Sequence, residues 1–230
     1  MNRSQAIAVQ RKMKIGHGGT LDPMATGVLV VGLNGGCKML EGFLKGCKKG
    51  YRATGVFGVH YDTYDTTGVL VHERPFEHVT EEKVRQLLVE KFTGDVMQRP
   101  PAFSALRVNG KRAYDISRKR QKTLLASDPA EEKDMQPELE LPMRPINISR
   151  IELTQFALPE FEIDMECGSG TYVRSVIHDI GTMLDSAAAM SALVRTMQGA
   201  FRLEDCISVE QLEDIDRFEK ALRTDKDLLK

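Results

Sequence analysis

The sequence predicts an α+β chain, with strands and helices interleaved over most of its 230 residues. Three observations carry this. Phe161, Ile163 and Met165 alternate with Glu162, Asp164 and Glu166, the period of a strand with one buried face. Val84, Leu87, Leu88 and Phe92 fall on one helical stripe that Thr80 caps and Gly94 stops, and Val173, Val176, Ile177, Ile180 and Leu184 do the same over residues 171–184. Asn109-Gly110 at the end of an alternating run is the strongest hairpin signal in the chain.

Taken in order, residues 3–13 read as a short helix with Ser4 as N-cap and Ala6, Ile7 and Val9 as its apolar side. It leads into KIGHGGTLDPMATGVLVVG, residues 14–32. Glycines there let the backbone approach a ligand closely, and Asp22-Pro23 fixes a turn that displays the carboxylate. The run 28–33 is continuously apolar, which predicts a strand buried on both faces, and 36–44 predicts a helix. Residues 51–57 suit a strand near a sheet centre, followed by the polar loop HYDTYDTTG, 60–68. After the helix that begins at Thr80, residues 95–110 give a Pro-Pro break and then a strand into the hairpin turn, and 111–120 a basic helix. Residues 123–142 turn acidic and proline-containing with little apolar content, the composition of a flexible surface insertion. Strands resume at 146–156 and 161–167, Gly168-Ser169-Gly170 opens the helix 171–184, and a strand over 193–201 precedes a charged helical tail.

With 41% hydrophobic residues the chain is long enough for one sizeable core, so a single domain over 1–230 is expected. Its four cysteines, Cys37, Cys47, Cys167 and Cys206, show no C-x-x-C spacing, which argues against a zinc knuckle and a disulfide framework and for a reducing compartment. No apolar run approaches the roughly 18 residues of a membrane span, and no signal-peptide core is present. A soluble, intracellular protein follows, with the basic start (Arg3, Arg11, Lys12, Lys14) leaving organelle import open. The net charge of −1 hides an asymmetry: residues 1–122 hold 21 Lys+Arg against 11 Asp+Glu, and residues 123–230 hold 11 against 22. Basic residues cluster at Lys45, Lys48, Lys49 and Arg52 and again at Lys111, Arg112, Arg118, Lys119, Arg120 and Lys122, either a solvated face or the footprint of a polyanion.

Nucleotide and metal signatures are missing: neither G-x-x-x-x-G-K-[ST] nor G-x-G-x-x-G is present, no histidines have metal spacing, and Asp62, Asp65 and Gly68 are too few for a calcium loop. What remains is a displayed carboxylate, Asp22, an arginine, Arg174, in the first turn of a helix, aromatic residues at strand and helix starts, and a basic half. An arginine there opposes the helix dipole, so either an anionic partner explains it or it points into water. The combination suits base chemistry on RNA. An ionised aspartate beside a ribose can attack C1′ or remove a proton from C2′ and so release the base without a cofactor. Tyr51 or Tyr172 could stack on a flipped base, though Tyr51 could equally be a core strand tyrosine, and His17 could assist the flip or cap its turn.

GHGGTLDPMATGVLVVG resembles the signature of the TruB family of tRNA pseudouridine synthases, and the likeness continues in order. KKGYRATGVFG is similar to the family's tyrosine-bearing strand and HYDTYDTTG to its aspartate loop. RPPAFSALRVNGKRAYDISR is similar to its RNA-contacting segment, GSGTYVRSVIHDIG to its arginine motif, and LVRTMQGAF to its closing strand. The resemblance implies a mixed, mostly antiparallel sheet flanked by helices, and isomerisation of uridine 55 in the T-loop of tRNA with neither metal nor organic cofactor. It implies Asp22 as the catalytic aspartate, Tyr51 as the stacking tyrosine, Arg174 as the arginine that pairs with acidic groups, and Tyr172 and Leu193 as pocket-lining residues. His17 is then associated with flipping, Asp65 is the acidic partner in the loop, and Lys38 a candidate RNA contact. Against the family pattern, the chain is expected to lack an upstream Lys-Pro-x-Gly strand; it is also expected to lack a PUA domain, which with the acidic insertion at 123–142 is similar to the eukaryotic branch. The expected protein is a monomer of the nucleus and cytoplasm or the mitochondrion, with tRNA and T-loop-like hairpins as partners. The alternatives are a non-catalytic RNA-binding or RNA-folding protein and a guide-RNA-dependent synthase.

Overall fold

The structure is a computed structural model that describes residues 13–126 and 139–224, the side chains of 122–126 excepted. The helix expected over 3–13 lies outside these residues except for Met13, as does the centre of the insertion expected over 123–142. The chain forms two compact units, Met1–Gly50 with Val194–Lys230, and Tyr51–Leu193.

Through the first unit run β1 (Ile15–His17), β2 (Thr26–Gly27), β3 (Val31–Leu33), a 3₁₀ turn (Asn34–Met39) and α1 (Leu40–Lys45). The strands β4 (Lys49–Phe57) and β12 (Ala188–Gln198) each pass from one unit to the other, and β13 (Phe201–Arg202) and α5 (Ile215–Ala221) follow. β1 pairs antiparallel with β3, and β2 runs parallel to β12 with Gly27 opposite Arg195. The expected strand over 28–33 is corrected here. Only Val31–Leu33 is strand, with Val28 at 1% exposure but Leu29 at 42% and Val31 at 49%. The apolar run is long enough for a central strand, but β3 has a three-residue partner, and the Val28 amide instead donates to the Arg195 carbonyl.

The second unit holds β5 (Val59–Tyr61), β6 (Leu70–Glu73), α2 (Glu81–Lys91), β7 (Gly94–Gln98), β8 (Arg107–Val108) and β9 (Lys111–Arg112). It continues through α3 (Ala113–Ala126), β10 (Arg144–Ala157), β11 (Glu160–Cys167) and α4 (Val173–Met183). The main sheet has the order β13-β12-β4-β11-β10-β7, with β2 beside β12, and is mixed and mostly antiparallel as expected. Alternation builds the core of this unit: Phe161, Ile163 and Met165 are buried, Phe161 stacks on Phe57 at 4.3 Å, and Val176, Ile177 and Ile180 of α4 are fully enclosed. Thr80 caps α2 by accepting the Lys83 amide, and Asn109 and Gly110 both take positive φ, 49° and 80°, the two-residue turn that joins β8 to β9.

Three further boundaries differ from the sequence reading. The strand expected at 193–201 begins at Ala188, because Ala188, Ala189 and Met190 are small or flexible enough to be wholly buried and show no alternation. The strand expected before the hairpin shrinks to β8, since the prolines leave residues 99–106 irregular. The expected insertion is narrower at both ends: α3 runs to Ala126, and Leu141 is buried with its carbonyl accepting from Arg99.

Candidate active site

Asp22 heads a tight turn in the first unit, its carbonyl accepting the Ala25 amide at 2.8 Å with Pro23 at the second position. Both sides of this loop are tied down. Arg195, only 2% exposed, donates from Nε to the Val28 carbonyl at 2.7 Å and from a terminal nitrogen to Gly19 at 3.1 Å. The buried Gln198 amide donates to the carbonyls of Gly18 and Phe43, and the Gly18 amide to Val30. The sequence signal for these braces is a charged and an amide side chain inside the apolar strand LVRTMQ. Asp22 is half-buried, while His17 at the end of β1 and Lys38 in the 3₁₀ turn are exposed. Arg195→Met keeps volume but strips the donors from two carbonyls, so it is expected to lower stability by about 3 kcal/mol. A thermal melt indistinguishable from wild type would contradict the bracing role.

In the second unit the HYDTYDTTG loop presents Asp65, 4% exposed, to Arg174, 7% exposed, in the first turn of α4. One carboxylate oxygen of Asp65 accepts from Thr63 Oγ1 at 2.9 Å, Thr67 Oγ1 at 2.5 Å and the Thr67 amide at 3.0 Å. The other faces Arg174 Nε at 3.7 Å. Arg174 also donates to the carbonyls of Thr63, at 2.8 Å, and Phe103, at 3.0 Å. The possibility that Arg174 points into water is thereby overturned. It sits off the apolar stripe of α4 because it faces a polar loop and carbonyls that satisfy its donors, as a buried cation requires. The loop is anchored on its far side by a bridge to β12, in which Thr66 donates to Met190 and Met190 to Tyr64, both at 3.0 Å.

Tyr172 precedes α4 in extended conformation without a side-chain cap. Gln98, at the end of β7 and 2% exposed, clamps its main chain: Nε2 donates to the Tyr172 carbonyl at 2.9 Å and Oε1 accepts its amide at 2.8 Å. Above the ring lies Arg144, 5.1 Å from its centroid, which also donates to Gly170 at 2.7 Å. Both partners lie far from Tyr172 along the chain, so nothing local in the sequence points to them. Leu193 is buried in β12 and Tyr51 half-buried in β4. Thus Asp65 and Arg174 are in contact, Tyr172, Tyr51 and Leu193 share their unit, and His17, Asp22 and Lys38 belong to the other.

The two basic clusters differ. In the first, Lys45 pairs with Glu41, Arg52 makes two bonds to Asp164, and Lys49 is buried with Nζ on the Leu44 carbonyl, so it is mostly engaged internally. In the second, Lys111, Arg112 and Arg118 are exposed on the β8–β9 hairpin and α3. Among the described residues no group of His, Cys, Asp and Glu could hold a metal ion.

Residues 7–173 match the model of the N-terminal domain of the TruB family pseudouridylate synthases, and 174–230 that of the tRNA pseudouridylate synthase B C-terminal domain. The chain is 40% identical over 213 residues to pseudouridylate synthase TRUB1 of Homo sapiens, covering 93% of this chain and 56% of that protein. It is 39% identical over 204 residues to tRNA pseudouridine synthase B of Phocaeicola vulgatus, covering 89% and 79%. It therefore spans little more than half of the human relative. Among solved structures, a crystal structure of a Cbf5-Nop10-Gar1 complex matches with a TM-score of 0.64 at 28% identity, over 91% of this chain and 51% of that one. A structure of an H/ACA RNP bound to a substrate RNA containing 2′-deoxyuridine matches at 0.58 and 25%, over 91% and 47%.

Proposed function

This chain belongs to the TruB family of pseudouridylate synthases, and from that premise we propose that it isomerises uridine 55 in the T-loop of tRNA, with Asp22 as the catalytic residue. The observation that supports this most is the braced Asp22 turn within the matched region 7–173. A loop braced by main-chain and buried side-chain bonds keeps the backbone that carries Asp22 in one place when a ribose arrives.

The reaction balances without redox chemistry. The N1–C1′ bond breaks, a C5–C1′ bond forms, and the proton on C5 passes to solvent while N1 gains one. Asp22 acts at C1′ as nucleophile or at C2′ as base. Tyr51 stacks on the flipped base, Tyr172 and Leu193 line its pocket, and the Asp65–Arg174 pair supplies a fixed charge arrangement in that unit. His17 takes part in flipping and Lys38 contacts RNA. Lys111, Arg112 and Arg118 meet phosphates. We place the protein inside the cell as a monomer; that none of its four cysteines forms a disulfide suits a reducing compartment.

The direct test uses an unmodified tRNA transcript labelled with tritium at uridine C5. Release of one tritium per tRNA is expected, and none from a folded protein would contradict the proposal. The likeness to Cbf5 assemblies favours a second reading, a guide-dependent synthase, which predicts no turnover on naked tRNA. Affinity for tRNA should fall about tenfold or more between 50 and 200 mM salt if several phosphates are contacted. Replacing Lys111, Arg112 and Arg118 together by Gln should flatten that slope, and an unchanged slope would remove this face from the footprint.

A further inference from the structure

Four rings stand behind the Asp65 loop in the second unit. Tyr64 lies flat on His178, with centroids 3.9 Å apart and planes within 4°. His60 of β5 packs against Tyr64 at 5.7 Å, His178 at 5.0 Å and His72 of β6 at 4.7 Å. Tyr64 immediately precedes Asp65, and His178 follows Arg174 by four residues, one helical turn. The Asp65–Arg174 pair and the Tyr64–His178 stack are therefore two rungs between the same loop and the same helix. At 3.7 Å the Nε–carboxylate contact is longer than a hydrogen bond, and the direct ties between this loop and α4 include the Arg174 bond to the Thr63 carbonyl at 2.8 Å and the Tyr64–His178 stack. Tyr64 also takes φ of 63°, a conformation that a residue with a Cβ keeps where its surroundings hold it, and its carbonyl accepts the Met190 amide.

We propose that Tyr64 and His178 are positioning residues that seat the Asp65 carboxylate against Arg174, through a stack that holds only while His178 is neutral. This rests on Asp65 and Arg174 belonging to the active site. Neutrality follows from the geometry. The Nδ1 atoms of both His178 and His60 are buried without a hydrogen-bond partner among the described residues, and an imidazolium would leave a buried N–H donor unsatisfied there. The charged and titratable groups around the rings are His60 from β5, His72 from β6, Asp62 from the loop, Arg74 after β6, and Arg174 and Asp179 on α4 itself, burial raising the Asp179 carboxyl to about 6. Apart from Asp62, Asp179 and the already paired Asp65, they are cationic or would become so. Burial, then His60 and His72, lower the His178 pKa to about 4. An opened loop would return His178 toward its ordinary value near 6.5. The opened form then binds the proton more readily, so closure is fully favoured above about 6.5 and weakens as pH falls toward about 4.

The test measures hydrogen-exchange protection of the Thr66, Thr67 and Met190 amides, each bonded in the closed loop, together with kcat and KM on tRNA. His178→Ala and Tyr64→Leu are expected to lose about tenfold or more of both protection and kcat at pH 7.5, with KM little changed. His178→Phe stacks but cannot titrate. It should keep wild-type protection and kcat at pH 7.5 and hold its protection factors at pH 5, where those of the wild type fall about tenfold. If the Ala and Leu variants keep wild-type protection and kcat, or His178→Phe loses protection with pH as the wild type does, the proposal is overturned. His178→Phe also serves if the Ala variant fails to fold, because failure of this isostere to protect the loop would likewise overturn it. If exchange behaves as expected but the wild type makes no pseudouridine, the assigned activity fails and the seating of Asp65 stands.

Discussion

An Asp22→Asn protein is expected to fold, bind tRNA and form no measurable pseudouridine, a loss of about a thousandfold or more in turnover. The two side chains have the same shape, and the surrounding loop is held by groups that the substitution leaves alone: the Asp22 carbonyl on Ala25, Arg195 on Val28 and Gly19, and Gln198 on Gly18. What changes is the chemistry. An amide has neither the charge to attack C1′ nor the basicity to take a C2′ proton. Tritium release measures the loss, and a filter-binding curve on the same tRNA shows that binding survives. Turnover within tenfold of wild type would mean that Asp22 does not touch the reacting atoms.

Gly27→Ala is expected to be the most damaging single methyl in the first unit. Gly27 has φ of +102°, and a Cβ there would lie 2.3 Å from the Arg195 carbonyl oxygen and 2.8 Å from its nitrogen. Those atoms are backbone and cannot turn aside, so the β2–β12 pairing must open or the φ must change. A cost of about 3 kcal/mol or more follows, which for a chain of this size lowers Tm by roughly 10 °C. Because Arg195 also braces the Asp22 loop, turnover should fall with stability. Gly35→Ala is the matched control, since a Cβ there meets nothing within 4 Å. Equal melting of the two variants would show that the close approach at Gly27 does not support the loop.

Local features were legible in the chain. The alternation at 161–167, the Thr80 cap and the Asn109-Gly110 turn each depend on neighbours in sequence, and each is present. What was hidden depends on distant partners. Arg174 was ambiguous because the loop that covers it lies 111 residues earlier, and Gln98 was silent because its partner Tyr172 is 74 residues away. The apolar run 28–33 misled for a related reason: its composition suits a strand covered on both sides, but cover is supplied by the rest of the fold, and Leu29 and Val31 have little. For the candidate site, the resemblance named Asp22, Asp65 and Arg174. Arg195 and Gln198, which brace the Asp22 loop, Gln98, which clamps Tyr172, and the Tyr64–His178 stack beside Asp65 became visible only with the structure.

The most direct measurement is position-resolved chemical mapping of pseudouridine in an unmodified tRNA transcript incubated with this chain alone, with Asp22→Asn beside it. One modified position, uridine 55 of the T-loop, is expected with the wild type and none with the variant. A folded wild-type chain that leaves the T-loop unmodified, or a product that persists with Asp22→Asn, would contradict the assignment of this chain as an Asp22-dependent tRNA pseudouridine synthase.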